Sequence, residues 1–337
     1  MKRNTIAKAV ILVALGVLQG CGGGGGGGGG VAFPITAVPA SDSGPAPAST
    51  SGAEPTTSPA PSPAPVAPPV PPTEPAPSLD PTACINAPQP GSAAEVGNGF
   101  EGVWDQNVYG GAIGRMLIGA AGDVVGYRRA EASSVNVDNF NGTFSFSAAN
   151  SSWQVASATI NPYPTTNAVP FTGSGTFVAK STMDGTYSVD GAAPKSFDAW
   201  AYRISNYLAV DSALLTGAWG GTQYGVTGLI EIAPDGSFTG STRNASEIAF
   251  GACTLSGTVL PREPGTSRKN YLTVRLQAVD AAKAGEKSCS LVSVTEGVGY
   301  IAVNQGTMDG VCKRSMSLNF LLKDAAGNYS IGAGFPR

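Results

Sequence analysis

Tyr271-Leu272-Thr273-Val274-Arg275-Leu276-Gln277-Ala278 puts Leu272, Val274, Leu276 and Ala278 on one side of an extended chain and polar residues on the other. A period of two with β-branched and long apolar residues is the signature of a strand with one buried face. Ser315-Met316-Ser317-Leu318-Asn319-Phe320, Thr143-Phe144-Ser145-Phe146-Ser147 and Trp200-Ala201-Tyr202-Arg203-Ile204 repeat the pattern. Between Leu229-Ile230-Glu231-Ile232 and Phe238 stands Pro234-Asp235-Gly236, the residue types that a tight turn between strands requires. No segment of this region keeps a helical period. The expectation is an all-β protein of antiparallel strands.

The strands come in two copies. Gly102-Val103-Trp104, followed by Tyr109-Gly110, returns as Gly217-Ala218-Trp219, followed by Tyr224-Gly225, at an offset of 115 residues. Met116-Leu117-Ile118-Gly119 with Gly122-Asp123 answers Leu229-Ile230-Glu231-Ile232 with Asp235-Gly236. Gly142-Thr143 answers Gly257-Thr258, and Trp153-Gln154-Val155 roughly answers Tyr271-Leu272-Thr273. Two tandem units, 96–212 and 213–337, each have room for about eight short strands. That number in so short a chain implies a small barrel or barrel-like sandwich, which leaves few sheet edges exposed.

Upstream the composition changes. Gly22 to Gly30 is an unbroken glycine run, and 18 of the 26 prolines fall between Pro34 and Pro90. Such sequence has no apolar periodicity and cannot offset the entropy of ordering itself. Residues 21–95 are therefore expected to form a disordered tether, flexible where Gly-rich and extended where Pro-rich.

The first residues carry Lys2, Arg3 and Lys8, then ten apolar residues from Ala9 to Leu18. Ten are too few to span a bilayer and suit a signal peptide, here 1–20. Leu18-Gln19-Gly20-Cys21 resembles a bacterial lipobox, with Gln19 bulkier than is usual at its position. The resemblance implies cleavage before Cys21 and acylation of its sulfur and amine. Gly22 in place of Asp implies sorting to the outer membrane, with the protein partnered to the membrane through its lipid anchor.

With the signal removed, 17 basic residues face 23 acidic ones, a balance of −6. Arg128-Arg129, Arg268-Lys269 and Lys313-Arg314 then read as solvated strand or loop faces, not as a nucleic-acid surface. The chain has no histidine, which removes the commonest general base and metal ligand. There is no Gly-x-Ser-x-Gly elbow, phosphate loop or calcium-loop spacing. Val137-Asp138-Asn139-Phe140-Asn141-Gly142 has oxygen ligands at the wrong spacing for a metal and reads as a turn. The acids Glu101, Asp105, Asp123, Asp184, Asp235 and Asp309 are scattered, and several neighbour a glycine as turn residues do. No catalytic residue, metal site or cofactor is expected, and the ligand-binding residues are unknown. Trp104 and Trp219 occupy the same place in both copies and suit a plug in each barrel better than a ligand platform. Phe144, Phe146, Trp200 and Tyr202 read as further plugs.

After Cys21 the chain has Cys84, Cys253, Cys289 and Cys312. An even number in an exported chain favours disulfides, with three possible connectivities. The second copy resembles a group of uncharacterised bacterial lipoproteins through Asp235-Gly236-Ser237-Phe238-Thr239-Gly240, Gly251-Ala252-Cys253-Thr254-Leu255-Ser256-Gly257-Thr258, Pro261-Arg262, Cys289 and Gly297-Val298-Gly299-Tyr300. The matching cysteines of that group look like a pair, and Cys253 and Cys289 lie in strand-like sequence of one region. Pairing of these two is expected, which leaves Cys84 with Cys312. The Gly-x-Trp opening is also similar to that of lipocalins and avidins, a likeness of fold only. The functional expectation is a non-enzymatic envelope lipoprotein that presents two β-domains to a protein or small-molecule partner. The alternative is a carrier holding an apolar ligand inside lipocalin-like barrels.

Overall fold

The alternating segments form two antiparallel sheets in the computed structural model, which describes residues 82–337 apart from 109–110, 130–136, 163–166, 224–225, 245–249, 264–266, 295 and 324–328. The signal, Cys21 and the tether up to residue 81 lie outside the described residues, as do Tyr109-Gly110 and Tyr224-Gly225. The first sheet holds β1 Gly102–Val108, β2 Gly111–Ile118, β3 Asp123–Arg129, β4 Val137–Ser147, β5 Ser152–Asn161, β6 Val169–Val178, β7 Thr182–Val189, β8 Lys195–Ser196 and β9 Trp200–Tyr202. The second holds β10 Gly217–Gln223, β11 Val226–Ile232, β12 Ser237–Asn244, β13 Cys253–Pro261, β14 Leu272–Asp280, β15 Glu296–Met308, β16 Val311–Lys323 and β17 Tyr329–Pro336.

The first sheet closes through its backbone. Strands β1 to β7 form a meander, β7 also pairs with β9, and β9 returns to β1 through Trp104–Tyr202 and Gln106–Trp200. Short β8 continues the edge of β7 beyond β9. The result is an eight-stranded barrel. The second sheet is also a meander, from β10 to β17 in sequence order, with no ladder joining its first and last strands among the described residues. A side chain bridges that seam: Arg337 Nη1 donates to the Leu214 and Thr216 carbonyls at 3.0 and 3.4 Å. Its guanidinium lies 5.0 Å from the Trp219 ring centroid.

The repeat is visible in the hydrogen bonds. Trp104 Nε1 donates to the Phe100 carbonyl and Trp219 Nε1 to that of Leu215, both at 2.7 Å and four residues upstream. The β2–β3 turn has Gly122 N–H to Gly119 O and Phe144 N–H to Gly122 O, mirrored by Gly236 to Ala233 and Val259 to Gly236. Gly122 and Gly236 both have φ of 82°, a left-handed conformation that favours glycine. The 115-residue offset is broken by a bulge between Gln106 and Asn107, so Met116 answers Ile230. A second bulge, at Thr143/Phe144, makes Trp153 answer Leu272 and not Tyr271.

The boundaries differ from those read in the sequence. Residues 82–95, assigned to the tether by composition, belong to the folded part. Ile85 sits in the second barrel's core, Arg314 N–H bonds to Thr82 O, and Ala93 and Ala94 are buried. Leu208 and Val210, assigned to the first unit, also pack in the second core. The strand expected over Trp200–Ile204 stops at Tyr202, and Ile204–Tyr207 is a 3-10 turn. Both disulfides are present, Cys253–Cys289 with Cα atoms 5.0 Å apart and Cys84–Cys312 at 5.8 Å.

Candidate functional site

Each barrel is filled by its own side chains. In the first, Trp104, Phe144, Trp153, Phe197 and Trp200 are buried together, with Phe144 stacked on Trp153 at 5.4 Å and Phe197 on Trp200 at 5.1 Å. In the second, Trp219 lies among Ile230, Leu255, Val274, Ile301 and Leu318. Trp104 and Trp219 are therefore core plugs. Phe144 and Trp200 plug the first barrel as expected. Phe146 and Tyr202 are only partly buried: Phe146 stacks on Phe100 at one end, and Tyr202 packs edge-on against Trp104.

The barrels meet on their outer faces. Val103, Leu117 and Val125 of the first pack against Tyr271, Val298, Tyr300 and Leu321 of the second. Two hydrogen-bonded hubs fix the contact. Asn206, on the connecting 3-10 turn, bonds both the N–H and C=O of Val103 at 2.7 and 2.8 Å. Asn270 does the same for Ile301 and also donates to Ser205 O. Beside them Arg115 forks onto Asp105, Arg203 reaches the same carboxylate at 3.0 Å, and Arg115 Nη1 donates to Tyr300 Oη at 2.7 Å. Burial pushes the Tyr300 phenol well above its ordinary range, so it stays neutral as an acceptor. Lys269 bonds Glu101 and Glu263. Glu101 and Asp105, scattered acids in the sequence, are thus buried ion-pair partners.

Arg128 also departs from the solvated face expected of it. It is only 8% exposed and lies 4.6 Å over the Tyr187 ring. It faces Asp138 across β3 and β4. With Gln106 and Trp200 it forms a polar layer beside the aromatic core, where Gln106 Oε1, Arg128 Nε and Trp200 Nε1 have no hydrogen-bond partner among the described residues. Val137–Gly142, read as a turn, is strand β4.

A groove of about 250 Å³ lies on the outer face of the second barrel. Its floor is the short β14–β15 ladder, which runs only from Leu272–Gly299 to Arg275–Glu296. One row of outward side chains crosses it. Arg275 on β14 stands opposite Glu296 on β15, Glu296 pairs with Lys323 on β16, and Lys323 stands opposite Tyr329 on β17. Arg262 closes one side, held 4.6 Å over the Tyr271 ring and paired with Asp123 of the first barrel. The hydrogen bond from Lys323 holds the Glu296 carboxyl below its ordinary range and raises the Lys323 ammonium. The groove thus offers three cations and one carboxylate, with Thr273 at its edge. Sequence reasoning missed it because its members lie on four strands and a turn, far apart along the chain. The alternation of β14, which sends Arg275 outward, was the one local signal.

Compared with known protein families and with curated proteins, the chain gives no match. Among the described residues no group of three or more His, Cys, Asp or Glu side chains is placed to hold a metal ion.

Proposed function

We propose that this chain is an exported, lipid-anchored envelope protein of the outer membrane whose folded part is a rigid pair of barrels that acts by binding at its surface. The anchor rests on Leu18-Gln19-Gly20-Cys21 and on the charged and apolar residues before it. Two disulfides, Cys84–Cys312 and Cys253–Cys289, support an oxidising compartment outside the cytoplasm. The observation that carries the surface reading is the packing of both interiors. A carrier of the lipocalin kind needs space where Trp104, Phe144 and Trp153 stand in one barrel and Trp219 and Phe320 in the other. Binding is then left to the outer faces, and the sequence has none of the nucleophile–base arrangements that would suggest catalysis.

The experiment is fractionation of cells producing the wild type and Cys21→Ala. The wild type is expected in the outer-membrane fraction and labelled by palmitate. The variant is expected unlabelled in the soluble fraction. A variant that still sediments with membranes and still takes label overturns the anchor.

A further inference from the structure

We propose that the groove lined by Arg262, Arg275, Lys323, Glu296 and Tyr329 binds a phosphate-bearing sugar. This rests on the reading that the folded part acts through its surface. The first argument is charge. The chain is acidic overall, at −3, yet three cations line one concavity with a single carboxylate between them. Arg275 makes no hydrogen bond or ion pair among the described residues and stands across the ladder from Glu296. Arg262 and Lys323 are each held by one carboxylate, Asp123 and Glu296, which leaves further donors on both. Guanidinium forks match phosphate oxygens two at a time, and a dianion gains more from three cations than a carboxylate does.

The second argument is size and lining. A volume of about 250 Å³ exceeds a bare ion and approaches the lower end of small-ligand sites, roughly 300 Å³. The remaining wall suits a hydroxylated ring. Thr273 and Tyr329 offer hydroxyls, and Glu296 offers acceptor oxygens. Tyr329 also offers an aromatic face, with the Lys323 ammonium 5.3 Å from its centroid. The third argument is rigidity. The floor is backbone at Val274 and Gly297, where a Cβ on Gly297 would meet the Leu321 carbonyl at 2.4 Å. Arg262 is fixed by Asp123 and Tyr271, both at the barrel–barrel contact. Arg262 and Lys323 are therefore placed before the ligand arrives, which lowers the cost of binding, and Arg275 keeps all its donors for it.

The test is calorimetric titration of the full chain carrying Cys21→Ala, to remove the anchor, with glucose 6-phosphate, glucuronate and glucose. Glucose 6-phosphate is expected to bind at least tenfold more tightly than glucuronate, and glucose not to bind. Arg275→Ala is expected to weaken the phosphate sugar at least tenfold. Glu296→Gln is expected to tighten it several-fold, an effect that damage to the fold does not produce. Phosphatidylcholine vesicles with and without a phosphorylated glycolipid identify the source of the phosphate. Capture by the charged vesicles that Arg275→Ala abolishes assigns it to a lipid headgroup. Binding of the free sugar phosphate without capture assigns it to a soluble ligand. Either result supports the site. It is overturned by no binding in both arms, by equal binding of glucuronate, or by an unchanged affinity in Arg275→Ala. Any of these leaves the membrane fractionation of wild type and Cys21→Ala untouched, so failure of the groove and failure of the anchor are read separately.

Discussion

The two barrels start from one repeated plan and complete it in different ways. The first closes through backbone ladders, β7 to β9 and β9 to β1, and contains no cysteine. Its interior is aromatic, with three of the four tryptophans. In the second, β10 and β17 lie side by side with no ladder between them among the described residues, and the described β14–β15 ladder ends at Arg275–Glu296. Its interior is mostly aliphatic, and both disulfides lie on it. Cys289, Leu291 and Val294 from the β14–β15 connection join its core, as does Ile85 beside Cys84. Large rings fill a closed ring of strands without further help. The two disulfides tie flanking segments to the second sheet, Cys84 to Cys312 on β16 and Cys289 to Cys253 on β13. The lesson is that the repeat preserves the Trp plug and the glycine turns, while closure is solved locally.

The largest expected effect comes from breaking the covalent half of this comparison. The Cys253–Cys289 bond joins residues 36 apart, and the chain-entropy estimate gives about 4 kcal/mol for such a loop. Cys84–Cys312 joins residues 228 apart and gives about 5 kcal/mol on the same scale. Reduction should therefore speed amide exchange across Gly217–Pro336 by orders of magnitude and change Gly102–Tyr202 far less. Exchange measured with and without reductant tests this. Equal acceleration in both barrels would mean that they unfold as one body and that closure mode does not matter.

A second comparison sets the shared interface against either barrel alone. Asp105 holds both Arg115 and Arg203 from a side chain that is itself almost wholly buried. Asp105→Ala leaves two guanidinium groups without their carboxylate and should cost about 3 kcal/mol. Because Arg115 also donates to Tyr300 of the second barrel, the loss should appear in denaturant melts followed from either barrel. Alkali probes the same contact. Burial raises the Tyr271 and Tyr300 phenols far above the ordinary value of 10. A phenol raised in the folded state contributes stability that is complete below pH 10 and is lost above it, by about 1.4 kcal/mol per group at pH 11. Phenolate absorbance should therefore rise in two steps, the later one coinciding with loss of circular dichroism. A single smooth titration of all ten tyrosines would count against the buried interface.

Much of this was legible in the chain because it is written locally. Alternation over Tyr271–Ala278 fixed which side chains of β14 face the core from Leu272 to Ala278, and Gly-x-Trp with its glycine turns marked the repeat. Pairing of Cys253 with Cys289 followed from likeness and proximity in sequence. What stayed hidden is non-local. Lys269 meets Glu101 across 168 residues, and nothing near Glu101 announces that partner. Arg128 reads as half of a basic pair until β7 supplies the Tyr187 ring. The tether's end was misplaced because Ile85, Ala93 and Ala94 lie among prolines and small residues, and their burial comes from distant partners: the core of the second barrel takes Ile85, and Lys180 of the first barrel holds the Ala94 carbonyl. The repeat slipped by one at Trp153 because a bulge adds a residue without changing the composition.

The smallest expected effect concerns the seam itself. Arg337 is the last residue of the sequence given, and its backbone pairs with Met316 by N–H to O at 2.8 Å. Its side chain crosses to Leu214 and Thr216 on the far side of the gap and covers Trp219. The guanidinium is largely solvated, so removing it should cost only about 1 kcal/mol, the range of one net hydrogen bond and an exposed cation–π contact. The location of the effect is more informative than its size. Arg337→Ala should accelerate exchange at Gly217–Trp219 and around Met316, and leave the closing β9–β1 ladder of the first barrel unchanged. Arg337→Lys keeps the charge but not the fork, and should recover less than half of the loss. If neither variant alters exchange at β10, side chains do not hold the seam and the contrast between the barrels reduces to their disulfides.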